Sequence, residues 1–190
     1  MKVNNIDKKL IFHSTFIDGL LLIEPTVSND ERGSFYRLFC KEEFESIGIN
    51  MDIKQINISF NKFGGTLRGL HYQSFPSTEA KVIRCCQGEI FDVAVDIRKK
   101  SKTFLSVFNI NLSSENNLML FIPFGFAHGF QTLTNNVYVE YYHSDFFVEK
   151  LDNGISYQDK ILNIKWPLKV TNISERDKKL PKIGEGFNGV

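Results

Sequence analysis

Cysteine is scarce in this 190-residue chain, and its placement excludes two common scaffolds of small proteins. The three cysteines, Cys40, Cys85 and Cys86, are odd in number and show no Cys-x-x-Cys spacing. A disulfide framework and a zinc ribbon both need regular cysteine pairs, so neither fits. We expect free, buried thiols in a reducing compartment.

Long apolar runs are also missing. The start, MKVNNIDKKLIF, is polar and has no signal-peptide core, and no apolar stretch approaches the roughly 18 residues that a membrane span needs. Matches to the N-glycosylation pattern at Asn57, Asn111 and Asn172 are therefore interpreted as chance. We predict a cytoplasmic protein without a membrane partner.

Neither sign of charge is in excess. The formal net charge is +1, from 23 basic and 22 acidic side chains. A nucleic-acid polymer normally binds a surface with a basic excess, so this balance argues against such a partner. A small anion held by two or three Arg or Lys side chains stays compatible with it.

Aromatic residues, in contrast, are abundant. Eighteen Phe and six Tyr favour a pleated sheet, and a hydrophobic fraction of 42% is enough for a packed core. The length suits one domain rather than two. We assign residues 1–182 to that domain and expect the Gly-rich residues 183–190 to form a flexible tail.

Short apolar or alternating runs, separated by turn residues and without intervening helices, predict an antiparallel sandwich or barrel. The predicted strands are residues 20–23, 34–39, 53–60, 66–73, 81–86, 89–97, 104–112, 117–122, 129–133 and 137–142. We expect the fifth and sixth of these to form a hairpin at Gln87-Gly88. Residues 41–47 are predicted to be helical, with Phe44 and Ile47 on one face.

The strand at residues 89–97 has an informative alternation. One face carries Phe91, Val93, Val95 and Ile97, and the other carries Ile90, Asp92, Ala94 and Asp96. A carboxylate on an apolar face is costly unless it is paired or solvated. For Asp92 a cationic partner and a wet barrel mouth are equally open, whereas Asp96, beside Arg98, is interpreted as solvated.

Two segments carry candidate chemistry. Residues 67–73 read LRGLHYQ, and residues 122–130 read IPFGFAHGF, in which Pro-x-Gly-x-x-His ends at His128 with the spacing of the second cupin motif. In metal-binding cupins this motif supplies one ligand beside an earlier His-x-His. Here His71 stands alone, with Gln73 at the second position. Because a transition metal normally needs three or four protein ligands, we expect the barrel without the metal.

Beyond these motifs, the sequence resembles the dTDP-4-dehydrorhamnose 3,5-epimerase family. The matching segments follow in order along nearly the whole chain, at residues 30–35, 67–73, 81, 88–98, 122–130, 154–155, 159, 164–167 and 174–177. The resemblance implies an all-β fold, a cupin-type antiparallel jelly roll with short helices at the periphery. It also implies a homodimer that exchanges N-terminal strands, and no cofactor.

The resemblance further implies a reaction. The family's substrate is a 4-keto-6-deoxyhexose linked to a nucleoside diphosphate, whose C3 and C5 protons are acidic because both carbons flank the ketone. His71 is implied as the base that removes them, and Asp177 as the carboxylate that orients its ring. Lys81 is implied as the cation that stabilises the enolate. A tyrosine on the opposite face returns a proton.

The position of that tyrosine depends on alignment. An ungapped count back from Gly154-Ile155 gives Tyr141, and a slip of one residue gives Tyr142. Neighbouring strand residues point to opposite faces, so only one can serve. We prefer Tyr141 and interpret Tyr138 as an aromatic residue packed on the sheet.

A second group of residues is implied in substrate binding. It comprises Arg32, Phe35, Gln55, Asn57, Arg68, Asp92 and His128. Of these, Arg32 and Phe35 would reach the nucleotide in the partner's site, and Arg68 would bind the diphosphate, since a guanidinium can form paired hydrogen bonds to phosphate. His13 and His143 are interpreted as surface or satisfied strand residues.

Several positions depart from the family pattern, mostly where the nucleotide should sit. These are Arg37 for Glu, Ile56 and Ile58 for Asp and His, Phe146-Phe147 for a Tyr pair and Tyr157 for Trp. They bear on the base and the sugar rather than on the acid–base residues. The alternatives are a monofunctional 3- or 5-epimerase, a 3,4-ketoisomerase, a non-catalytic sugar-binding cupin and a metal dioxygenase.

Overall fold

The computed structural model describes residues 8–184 and 187–190. Within these ranges the strands, β1 to β13 in chain order, are Leu10–Ser14, Leu21–Pro25, Ser28–Asp30, Gly33–Phe35, Gln55–Asn61, Leu67–Gln73, Lys81–Gln87, Glu89–Asp96, Val107–Ser113, Met119–Ile122, Phe126–Thr132, Val137–His143 and Asp152–Gly154. The helices are α1, Lys41–Glu45, and α2, Glu175–Lys178, with a 3-10 turn at Glu149–Leu151. None of the helices in the described ranges has the length and apolar character that crossing a bilayer requires.

Two antiparallel sheets pack face to face. The first has the order β1-β2-β10-β7-β12-β5, the second has the order β13-β6-β11-β8-β9, and β3 and β4 form a separate hairpin. Buried side chains from both sheets, such as Ile83 of β7, Ala94 of β8 and Phe130 of β11, meet in the layer between them. The predicted all-β jelly roll with short peripheral helices is therefore confirmed.

Every predicted strand has an observed counterpart, but three observed strands, β1, β3 and β13, had not been predicted. The strand predicted at residues 34–39 ends at Phe35, where its short partner β3 runs out. The predicted helix ends at Glu45. Phe44 packs in the outer core of the six-stranded sheet, whereas Ile47 lies beyond the helix and is exposed.

The alternation predicted for residues 89–97 is confirmed. Ile90 and Ala94 lie in the core between the sheets. Val93 and Val95 lie on the outer face, in a second core under the C-terminal part of the chain that includes Trp166. Both faces of β8 are covered, which explains why its sequence is apolar on both sides.

The hairpin predicted at Gln87-Gly88 is wrong. β7 pairs with β10 and β12, whereas β8 pairs with β9 and β11, so the turn carries the chain from one sheet to the other. Gly88 has φ +80° there, and a Cβ on it would lie 2.6 Å from Thr134 Oγ1. A sharp glycine turn therefore marks a change of sheet here, which its local sequence does not distinguish from a hairpin.

The interpretation of Asp96 as solvated is also wrong. Its side chain is fully buried and accepts hydrogen bonds from Arg98 Nε (2.9 Å) and Nη2 (2.8 Å) and from the hydroxyls of Ser101 and Thr103. Burial alone would raise the pKa of Asp96, but these hydrogen bonds hold it at about 2. Its neighbours in sequence fold back over it, so its position at a strand end does not expose it.

We expect Asp96→Ala to lower the free energy of unfolding at pH 7 by roughly 1–3 kcal/mol, because Arg98, Ser101 and Thr103 lose the carboxylate that accepts their hydrogen bonds. The pKa of Asp96 is depressed in the folded state, so its contribution is present above about pH 4 and is lost as the pH falls towards 2. Urea denaturation of the wild type and the variant at pH 7 and near pH 2 tests this. Glu115→Ala, at an exposed position, should change stability by no more than about 0.5 kcal/mol. An equal loss at both pH values would contradict the assignment.

The three cysteines are free thiols, as predicted, but only Cys85 is fully buried. Burial raises the pKa of Cys85 to about 12, so the thiol stays protonated. In the predicted tail 183–190, Val190 N–H donates to Ile97 O (2.8 Å) and the Phe187 ring stacks on Phe104. The flexibility of this tail and the domain limits stay predictions.

Candidate active site

A cavity of about 280 Å³ lies between the two sheets. The five-stranded sheet lines it with residues of β6 and β11, and the six-stranded sheet lines it with residues of β5 and β12. The set is Asn57, Ile58, Ser59, Arg68, His71, His128, Gly129, Phe130, Tyr141 and His143. A neighbouring cavity of about 420 Å³ shares Arg68 and His71 and extends to Asp177 of α2. Six of the eleven predicted site residues line one or both cavities: Asn57, Arg68, His71, His128, Tyr141 and Asp177.

A bulge in β6 brings two of these residues to the same wall. His128 of β11 is opposite His71, but Phe130 is opposite Arg68, so β6 holds one extra residue between them. Without the bulge, Arg68 and His71, which are three residues apart, would face opposite sides of the sheet. The close approach requires glycine: a Cβ on Gly69 would lie 2.6 Å from the Cα of Gly129.

His71 is held by Asp177. Its Nε2 is 2.8 Å from Asp177 Oδ1, and Asp177 Oδ2 accepts the Gly69 backbone N–H at 3.1 Å. The carboxylate is placed by α2, which Ser174 caps by accepting the Asp177 backbone N–H at 3.0 Å. Burial would raise the pKa of Asp177, but the hydrogen bond and charge of His71 outweigh it and keep the pKa below its usual value. With Nε2 donating to a carboxylate, Nδ1 of His71 is the atom that can take a proton.

His128 and Asp92 form a second, more deeply buried pair. His128 Nε2 is 2.8 Å from Asp92 Oδ1, while Asp92 is fully buried. The sequence left open whether Asp92 has a cationic partner or lies in a wet barrel mouth. The structure gives it a side-chain partner, the histidine His128. Within the described part of the chain, Asp92 Oδ2 has no hydrogen-bond partner. The two pairs differ in access, since the side chain of His71 is 32% exposed and that of His128 is 6% exposed.

Tyr141 faces His71 from the opposite sheet. Its hydroxyl is 3.2 Å from Ser59 Oγ, and its ring stacks on His143 with centroids 5.9 Å apart. Burial, with a smaller contribution from nearby Asp92, raises the pKa of Tyr141 to about 12, so the phenol carries its proton at neutral pH. Tyr142 points to the other face of the sheet, where it packs in the core around Phe44.

Lys81 lies outside the cavity lining. Its Nζ pairs with Glu79 Oε2 at 3.1 Å, and Glu79 Oε1 is 2.7 Å from His143 Nδ1. Burial would raise the pKa of Glu79, but His143 and Lys81 lower it to about 2. His143 is a satisfied strand residue, as interpreted, and it also lines the cavity. Glu79 and Ser59 had not been singled out, although Ser59 lies two residues from Asn57, a spacing that gives a common face on a strand.

The remaining predicted binding residues divide into two groups. Arg68 and Asn57 line the cavity, and Arg68 Nε donates to Asn61 Oδ1 at 2.7 Å. Gln55 lies outside the lining, and its Oε1 accepts the Phe147 backbone N–H at 2.7 Å.

Arg32 and Phe35 are remote from the cavity within this chain. Both lie on the β3–β4 hairpin, where the Arg32 side chain is 89% exposed and Phe35 is 80% exposed. Within the described residues, the Arg32 guanidinium pairs with its near neighbour Asp30, at 2.6 Å. The hairpin thus displays both side chains on the surface.

One departure from the family pattern has a structural explanation. Arg37, which stands where Glu is usual, has its Nη1 2.6 Å from Oε1 of the buried Glu43. The other oxygen of Glu43 accepts the Leu10 backbone N–H at 2.8 Å. Arg37 therefore helps to fix β1 against α1.

The described residues offer no metal centre: no three His, Cys, Asp or Glu side chains among them are grouped as ligands for one ion. His71 and His128 are each hydrogen-bonded to a separate carboxylate. Metal independence stays a prediction.

An antiparallel jelly roll with a histidine–aspartate pair on one wall of its inner cavity and a protonated tyrosine on the other is a cupin-type fold with an acid–base site. The chain belongs to the dTDP-4-dehydrorhamnose 3,5-epimerase family, whose sequence profile matches residues 14–185. The resemblance seen in the sequence is confirmed.

Individual relatives agree with this assignment. The chain is 43% identical over 164 residues to a dTDP-4-dehydrorhamnose 3,5-epimerase of Shigella flexneri, covering 86% of this chain and 90% of that one. The Bacillus anthracis dTDP-4-dehydrorhamnose 3,5-epimerase, solved with TDP and PPi bound, has a TM-score of 0.89 and 36% identity, covering 92% and 99% of the two chains. The Legionella pneumophila dTDP-6-deoxy-D-glucose-3,5-epimerase, solved with dTDP-4-keto-L-rhamnose, has a TM-score of 0.86 and 40% identity, covering 91% and 92%.

Proposed function

We propose that this protein is an epimerase that inverts C3 and C5 of a nucleoside-diphosphate 4-keto-6-deoxyhexose of the dTDP-4-dehydro-6-deoxyglucose type. The observation that carries the proposal is the placement of the His71–Asp177 pair and Tyr141 on opposite walls of one cavity. Inversion requires a proton to leave one face of a carbon and another to arrive at the opposite face, and this arrangement supplies both groups.

The reaction follows from the chemistry of these groups. Nδ1 of His71 takes the proton from C3 or C5, and the C–H electron pair moves into the C4 carbonyl, which becomes an enolate. The imidazolium that forms is stabilised by Asp177. Tyr141 then gives its hydroxyl proton to the opposite face of the carbon, and the ketone reforms with inverted configuration. Proton exchange with water resets His71 and the phenolate.

The cations near the cavity support an anionic substrate. Arg68 lines both adjoining cavities, and a guanidinium there suits the diphosphate. Lys81, whose Nζ is paired with Glu79 beside the cavity and would have to turn towards it, is proposed as the cation that stabilises the enolate oxygen. Two relatives were solved with anionic phosphate ligands: TDP and PPi in the Bacillus enzyme, and the nucleotide keto-sugar dTDP-4-keto-L-rhamnose in the Legionella enzyme.

Incubation with dTDP-4-keto-6-deoxyglucose in deuterium oxide tests the proposal. We expect deuterium at both C3 and C5 and a 4-keto product of the L configuration. NMR detects both. Deuterium at one position only would identify a monofunctional epimerase, and a 3-keto product would identify a ketoisomerase. Binding without exchange would show a non-catalytic sugar-binding protein.

We further propose that the protein acts as a homodimer in which Arg32 and Phe35 complete the partner's nucleotide site. Their exposure on the β3–β4 hairpin supports this. Light scattering at micromolar concentration should give the mass of a dimer, and Arg32→Ala should raise KM for the nucleotide sugar without changing that mass. A monomer with full activity would contradict the proposal.

The three free thiols fit a reducing compartment, which supports the proposed cytoplasmic location.

Catalysis should survive exhaustive chelation, because the described donor residues are paired with one another rather than grouped around an ion. The measurement is the epimerisation rate before and after dialysis against EDTA. Loss of activity that one divalent ion restores would show that a metal takes part.

A further inference from the structure

Three buried side chains, Lys81, Glu79 and His143, form a chain of contacts that ends at Tyr141. Glu79 bridges Lys81 Nζ (3.1 Å) and His143 Nδ1 (2.7 Å), and all three side chains are largely buried. His143 and Lys81 are opposite each other in the β12–β7 pair. The cluster therefore lies on the cavity side of the six-stranded sheet, next to the tyrosine.

The imidazole at the end of this cluster fixes one side of the tyrosine ring. His143 and Tyr141 are two residues apart on β12, so their side chains share a face. Their rings are nearly parallel, with an interplanar angle of 11° and centroids 5.9 Å apart. The Tyr141 hydroxyl is held at its other end by Ser59 Oγ at 3.2 Å.

Resting on the function proposed above, we infer that Glu79 and His143 are positioning residues for Tyr141: Glu79, held by Lys81, anchors the His143 ring against the tyrosine ring, and this sets the face from which the proton is returned. Neither residue need touch the substrate for this role.

Stability alone does not require such a cluster. A buried ion pair gives little net stabilisation over well-packed apolar residues of similar volume, because desolvation offsets the Coulombic gain. Proton return, in contrast, depends steeply on geometry, since a misplacement of about 1 Å can reduce a rate about a hundredfold. The cluster orients a group whose only proposed task is that transfer.

The test compares inversion with exchange in the same sample. His143→Ala should lower the ratio of product inversion to C3 and C5 deuterium exchange by about tenfold or more, because proton removal by His71 does not depend on the tyrosine ring. His143→Phe, which keeps a flat ring beside Tyr141, should recover most of the ratio. Glu79→Gln, an isosteric change that removes the charge, should lower it less than His143→Ala. The matched control is His13→Ala, because His13 is an exposed histidine whose partner is Glu24.

A proportional loss of exchange and inversion in His143→Ala, or an unchanged ratio, would overturn the inference. A second readout does not depend on activity. With 13Cζ-tyrosine labelling, the Tyr141 signal, assigned from Tyr141→Phe, should shift in His143→Ala but not in His13→Ala. If wild-type protein neither exchanges nor inverts while this shift occurs, the proposed function fails and the positioning stands. An unmoved Tyr141 signal overturns the positioning.

Discussion

His71→Ala should abolish deuterium exchange at both C3 and C5 of the keto-sugar nucleotide, with a loss of about 10²–10⁴-fold or more. No proton leaves either carbon without a base, and both steps use the same cavity. The rate of deuterium incorporation, followed by NMR, measures this directly. His13→Ala serves as the control, since that histidine is exposed and paired with Glu24 on the first two strands.

The structure also contains a rival for the base. His128 is hydrogen-bonded to Asp92 at the same 2.8 Å that joins His71 to Asp177, so hydrogen-bond length does not distinguish them. Access does, because the His71 side chain is 32% exposed and that of His128 is 6% exposed. Normal exchange by His71→Ala would rule out His71 as the base and would make His128→Ala the next variant to measure.

Asp177→Asn should lower the rate of deuterium exchange at C3 and C5, but by less than His71→Ala does. The single amide oxygen can still accept from His71 Nε2, but the NH2 group then faces the Gly69 backbone N–H, and the amide offers no negative charge to the imidazolium that forms during proton removal. The fold should persist, since Ser174 caps α2 through the backbone of residue 177 rather than its side chain.

Tyr141→Phe should separate proton removal from inversion. Exchange at C3 and C5 should persist, because His71 still forms the enolate, whereas product inversion should fall by about 10²–10⁴-fold. Without the phenol, His71 can return a proton only to the face from which it came. Burial raises the pKa of Tyr141 to about 12, so the wild-type phenol is protonated and ready to donate throughout the neutral range.

Tyr142→Phe is the matched control for register. Its hydroxyl lies on the other face of the sheet, 3.1 Å from Glu140 Oε2, so its loss should leave inversion unchanged. If Tyr142→Phe blocked inversion and Tyr141→Phe did not, the assignment of the acid would move to Tyr142.

Local sequence predicted most of the strands because the alternation of β8 and the turn residues between runs are local signals. It did not predict which strands pair. The Gln87-Gly88 turn leads into the other sheet rather than into a hairpin. Of the strands that were not predicted, β3 and β13 have only three residues each, and β13 pairs with β6, far earlier in the chain, whereas β1 and β3 pair with the strands that follow them.

The acid–base residues could be selected from sequence through motifs and family resemblance, whereas their surroundings could not. Asp96 looks solvated beside Arg98, yet the loop that follows folds back and buries it. The resemblance implies Lys81 as a cation of the site but gives no partner for it, yet its Nζ is paired with the carboxylate of Glu79.

The sequence by itself determined the fold class, the family and, through the family resemblance, a histidine, an aspartate and a tyrosine as candidate acid–base groups, because the strand pattern and the motifs that carry the resemblance are written in it. Only the tertiary structure decided which walls they occupy. His71 and Asp177 are 106 residues apart and meet through the docking of α2 on β6, while Tyr141 comes from the other sheet. Such contacts are set by how the two sheets and the C-terminal segment bury their apolar faces together, a property of the whole chain.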